Sequence, residues 1–171
     1  MTSKEQTQSQ TVSLYNIDEN ELSIGGQWPW PRQQLAELSR NLFNSGAIAV
    51  VYSVLFPEED RFGGDEEFAQ SMAEVPTFLS AVATTDTDRQ DGWQIGVATL
   101  GNVLDNALSY PGILPNIQVL QDAAVGTGVV NSTPEVDGLV RRLPMILRVG
   151  DNLYPSCLLY TSPSPRDGLL S

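Results

Sequence analysis

Histidine is absent from the 171-residue chain, cysteine occurs once, at Cys157, and the only lysine is Lys4. Without histidine the chain lacks the usual general base near neutral pH and the usual zinc ligand. It also lacks every Ser-His-Asp or Cys-His arrangement. Long apolar runs are missing too, so no stretch of the sequence reads as a membrane-spanning helix. The opening Met1–Thr7, MTSKEQT, is polar and has none of the apolar core of a signal peptide. Positive charge is scarce: nine basic residues face 21 acids, for a net charge of -12. That argues against a nucleic-acid partner, because phosphate contacts need a basic face. Arg141-Arg142 is a local basic pair within this acidic background.

What is present fits one domain with one core. Thr11–Asp18, TVSLYNID, has the β-branched and aromatic content of a strand. Asp18 then stands as the N-cap of a short helical turn that Gly25-Gly26 ends. After QWPWPR, the residues Leu35, Leu38, Leu42 and Phe43 recur at helical spacing, with Arg32, Glu37, Arg40 and Asn44 facing away. Pro31 suits the start of this helix and Gly46 its left-handed stop. Ala47–Phe56, AIAVVYSVLF, reads as a strand buried on both faces. Asp65–Met72 reads as a helix with acids in its first turn, and Thr77–Thr84 as a further strand. Residues 100–112, LGNVLDNALSYPG, read as helical up to Pro111, and 116–124 as a short helix. GTGVVNS and LVRRLPMILRVG read as two strands joined by a turn at residues 134–138. The expected fold is therefore α/β: a single domain whose mixed sheet has parallel core strands, flanking helices and a C-terminal antiparallel hairpin.

The chemistry-bearing candidates are few. In an extended segment Trp28 and Trp30 point to opposite sides, and a proline after each favours that conformation. They suit an aromatic wall for a sugar, amine or cyclic metabolite, with Arg32 gripping a carboxylate. The plainer reading is preferred: one ring plugs the core beneath the helix and Arg32 pairs with a local acid. Asp18 and Glu19 follow the first strand, where α/β folds present ligand-binding groups, although capping is the commoner role. Glu58, Glu59, Asp60, Asp65, Glu66 and Glu67 match no calcium-loop spacing and read as a solvated face. Gly126-Thr127-Gly128 lacks the rest of a dinucleotide fingerprint, and no metal or other cofactor is indicated. Asp137 precedes Arg141-Arg142 on an expected strand, so the two arginines face opposite ways. One pairs with Asp137 and the other serves a ligand or partner.

Cys157–Asp167, CLLYTSPSPRD, resembles a translated sequencing-library adapter. On that expectation residues 1–11 are a disordered polar segment, 12–156 form the domain, 157–171 are adapter-derived, and the coding sequence is cut near Ser156. The matching segments VSLYNIDENEL, GGQWPWPR, SGAIAVVYSVLF, GGDEEFAQSM, GTGVVNSTPEVDGLVRRLPMIL and YPS resemble, in order, the CHASE type-2 (CHASE2) sensory domain. The W-P-W-x-R and D-G-x-x-R-R-x-P segments are the most specific. Ser53 stands where that family often has an acid, Tyr15-Asn16 is more polar than its usual first strand, and residues 86–111 have no clear counterpart. The resemblance implies a non-catalytic, extracytoplasmic (periplasmic) sensor of a bacterial membrane protein. Membrane helices would flank it, and a nucleotide cyclase, a histidine or Ser/Thr kinase, or a diguanylate cyclase would follow. Its partner would be a small-molecule or protein signal, and a homodimer is compatible with it. Asp18, Trp28, Trp30, Arg32, Asp137 and Arg141 are then the ligand-binding candidates. The rival readings are a small soluble hydrolase pairing Asp18 with Asp137, and a free-standing module that binds a ligand, or a protein along an exposed sheet edge.

Overall fold

The computed structural model describes residues 12–87, 107–132, 137–141 and 143–157. Glu19–Gly25 form α1, with the Asp18 carboxylate accepting the Asn20 N–H at 2.8 Å and Gly26 closing the end at φ 88°. Arg32–Asn44 form α2, which starts directly after Pro31. Its end is a paired C-terminal cap: Gly46 N–H donates to the Phe43 carbonyl at 2.9 Å and Ala47 N–H to the Leu42 carbonyl at 3.0 Å. Gly46 permits this turn because its φ of +103° is a left-handed conformation that side chains resist.

The strand β2 (Thr77–Thr84) organises the larger sheet. It pairs in parallel with β1 (Val50–Val51) and β5 (Gly126–Val129), and antiparallel with β4 (Gly112–Leu114). A second sheet holds β3 (Leu108–Tyr110), β6 (Ile146–Val149) and β7 (Asn152–Pro155), with β3–β6 parallel and β6–β7 antiparallel. The helices α3 (Asp65–Glu74) and α4 (Gln118–Ala123) complete a mixed α/β domain.

Apolar burial divides along β2. Its first half faces a helical core in which Leu79 meets Leu35 and Ala36 of α2, Phe68 and Met72 of α3, and Leu120 of α4. Tyr52, Phe56 and Phe68 stack edge-on there, with centroids 5.4–6.0 Å apart, the arrangement that ring quadrupoles favour. Its second half, through Ala81 and Ala83, meets Ile113, Leu147, Val149 and Tyr154. Polar side chains stand in where ladder bonds run out. The Asn116 carbonyl oxygen accepts the Phe56 N–H at 2.8 Å and its amide donates to the Ser80 carbonyl at 2.9 Å. Asn131 does the same for both backbone groups of Ala83, each at 2.7 Å.

Several expectations are corrected. Residues 12–18 form no strand; Leu14 is 92 % and Tyr15 68 % exposed, so strand-forming composition finds no partner here. Only Val50–Val51 of the apolar run 47–56 is strand, because β1 meets β2 only at its first residues. Residues 108–110 and 112–114 are strands rather than helix, since pairing with β6 and β2 overrides local preference. The C-terminal hairpin is made by β6 and β7 around Gly150-Asp151, while β5 joins β2. Residues 137–141 are irregular, so the face-alternation argument for the two arginines falls away; the paired position Arg142 lies outside the described residues.

Candidate functional site

The chain bends at residues 27–29, and the Trp28-Pro29 peptide is cis. Trp28 and Trp30 lie together, with centroids 6.1 Å apart and planes tilted by 55°, rather than on opposite sides. Both rings are half-buried against the helical core. The Trp30 indole N–H donates to the Gly26 carbonyl at 2.9 Å, and its ring lies so close to Gly25 that a Cβ there would meet Cζ2 at 2.7 Å. Glycine is thus required beneath the ring.

Arg32 does not face away from the core. It is 7 % exposed, packs its guanidinium over the Phe56 ring at 4.4 Å, and reaches the Glu58 carbonyl through Nη2 at 3.4 Å. Its Nε lies 3.3 Å from Oδ1 of Asp65, which is equally buried. The two atoms form an ion pair, but the N–H is not aimed at the oxygen and makes no hydrogen bond. Charge attraction, rather than a directed bond, holds this contact.

Asp60 completes the junction. Its Oδ2 accepts the N–H of Arg32, first residue of α2, at 3.0 Å, and that of Gly64, just before α3, at 3.2 Å. Its Oδ1 takes the Phe62 N–H at 3.3 Å, and its own N–H donates to Asp65 Oδ2 at 2.7 Å. One carboxylate therefore serves the N-termini of two helices, where the aligned peptide dipoles favour negative charge. Burial opposes ionisation of Asp60, but the three N–H donors and the Arg32 charge outweigh it and hold the carboxyl below its ordinary 3.8. Composition read Asp60 and Asp65 as solvated. The signal that separates them from Glu59, Glu66 and Glu67 is their place beside Gly63-Gly64 at a helix start, opposite the arginine that opens the preceding helix.

The remaining candidates lie elsewhere. Asp18 is the exposed N-cap of α1. Asp137 and Arg141 form an exposed ion pair at 2.6 Å; the hydrogen bond from Arg141 and the Leu139 N–H hold the Asp137 carboxyl below its ordinary value. That keeps Asp137 ionised, the reverse of what a general acid needs. Among the described residues no group of His, Cys, Asp and Glu is arranged to hold a metal. No helix there is long and apolar enough to cross a membrane. Cys157 is buried, its thiol donating to the Gly128 carbonyl at 3.0 Å, and burial pushes its pKa up.

The structure thus gathers Trp28, Trp30 and Arg32 around the entry to α2 and pairs Asp137 with Arg141, while Asp18 serves its own helix. No curated protein and no solved structure matches the chain. A family model described as CHASE2 domain matches residues 1–163, a range that takes in the tryptophan segment, the arginine–aspartate junction and the Asp137–Arg141 pair. The chain belongs to the CHASE2 family, a family of sensory domains of signal-transduction proteins.

Proposed function

We propose that this domain senses a signal on the extracytoplasmic side of the bacterial inner membrane. It would do so as part of a membrane-bound protein whose cytoplasmic effector is a nucleotide cyclase, a kinase or a diguanylate cyclase. The family match across residues 1–163 carries the reading. The domain itself is non-catalytic in this account.

The signal, a small molecule or a protein, acts by binding one arrangement of the domain more tightly than another. Trp28 and Trp30 offer the contact surface, because both rings are only half-buried. The charge of Arg32 is already committed to Asp65, so Arg32 belongs to the helix junction rather than gripping the signal. The first test is a long read of the source DNA on both sides of this segment. The reading expects hydrophobic spans before Val12 and after Ser156, followed by an effector domain. A stop codon soon after Ser156, with no such span on either side, overturns the membrane-bound assignment.

A further inference from the structure

The chain displays both a strand former without a partner and a sheet edge without a neighbour. Residues 12–17, VSLYNI, have strand-forming composition yet make no hydrogen bond to any described residue, and Leu14 and Tyr15 stand in solvent. The edge belongs to β1, which among the described strands pairs with β2 alone. The N–H groups of Val50 and Tyr52 donate to the Pro76 and Phe78 carbonyls, each at 2.9 Å. The Val51 N–H and carbonyl between them therefore point to the open side of the sheet. Ile48, just ahead of the strand, is 88 % exposed. Charge favours a second copy as the occupant. Residues 6–17 carry no charge, and neither do residues 41–57, in a chain whose net charge is -12. Two acidic copies that meet through these stretches bring no acid into the ladder, so the repulsion opposing self-association is small there. The exchange also closes on itself. About a two-fold axis each copy gives one segment and receives one.

We propose that residues 12–17 of one copy add as a strand to the outer edge of β1 in a second copy, with Val51 supplying ladder groups and Ile48 an apolar neighbour. The test is sedimentation equilibrium of the full 171-residue chain over a concentration series, with amide hydrogen exchange read at residues 12–17 and at Val51. A dimer is expected, and protection of these amides should rise as it forms. Leu14→Pro removes a ladder donor from the segment, and Ile48→Asp places a carboxylate at the receiving edge. Each should weaken the dimer about tenfold or more, because a symmetric interface feels every substitution twice. Both side chains are exposed, so circular dichroism and the thermal midpoint of the dilute monomer should stay at parent values. That separates an association defect from misfolding. Three results overturn the proposal: a chain that stays monomeric, a dimer that ignores either variant, or amides at 12–17 protected equally in the monomer. The last result would seat the segment on its own sheet.

Discussion

Replacing Asp65 by asparagine keeps the shape of the helix junction while deleting its charge. The Arg32 guanidinium then remains 7 % exposed, with the Glu58 carbonyl at 3.4 Å, the Phe56 ring and the nearby charge of Asp60 as its remaining described partners. Leaving one member of a buried pair uncompensated costs about 3–5 kcal/mol, an upper bound here because Asp60 still offsets part of the Arg32 charge. For a chain of this size that is roughly 10 °C in thermal midpoint. The cost falls at the upper end if the amide also turns away from the Asp60 N–H, which now donates at 2.7 Å. Equilibrium urea denaturation of parent, Asp65→Asn, Arg32→Leu and the double variant Arg32→Leu/Asp65→Asn measures it. Because the pair lacks an aimed hydrogen bond, most of its worth is mutual neutralisation, so the double variant should be more stable than either single one. Losses under about 1 kcal/mol in both singles, or a double-variant cost equal to their sum, would refute the idea that this pair holds α2 against α3.

The same junction predicts an acid response. Asp60 has a depressed pKa when folded, so its contribution is full above its unfolded value and fades as pH falls through the folded one. The stability gap between parent and Asp60→Asn should therefore narrow as pH falls past the ordinary 3.8 and through the lower folded value; a constant gap would contradict the assignment. Tyr52 is buried and bonded to Ser39 at 2.9 Å and to the Leu35 carbonyl at 3.0 Å, and burial raises its pKa above 10.0. Tyr52→Phe should cost about 1 kcal/mol and remove a late-ionising tyrosine from the ultraviolet pH titration. Asn116→Ala strands the backbone groups of Phe56 and Ser80 and should cost roughly 2–4 kcal/mol in urea denaturation. Gly128→Ala should destabilise far more than Gly64→Ala by thermal melting. A Cβ at Gly128 meets the Cys157 backbone nitrogen at 2.6 Å, whereas one at Gly64 meets the movable end of Gln33 at 2.5 Å.

Periodic and capped elements were legible from sequence. α2, α3 and α4, the strand at 77–84 and the capping role of Asp18 all follow from spacing and end signals that act within a few residues. Elements set by distant pairing were not. Nothing local to Leu108–Tyr110 announces β6 as a partner, and the β-rich composition of residues 12–17 does not supply one. At the candidate site, the pairing of Arg32 with a local acid was readable as a type of contact. Its partner was not, because Asp65 is separated from it by a strand and a loop and looks like its solvated neighbours. The meeting of Trp28 and Trp30 was hidden because the bend at 27–29 replaces the extended path that the prolines suggest.

The shared carboxylate of Asp60 has a mechanical corollary. Two helices whose first turns hang from one side chain cannot change position separately without one of them losing its anchorage. A push on the 57–64 segment is thereby transmitted to α2 and α3 as a common displacement. The unit that responds to force on this side of the domain is then the pair of helices together with their connecting loop, tied at residue 60.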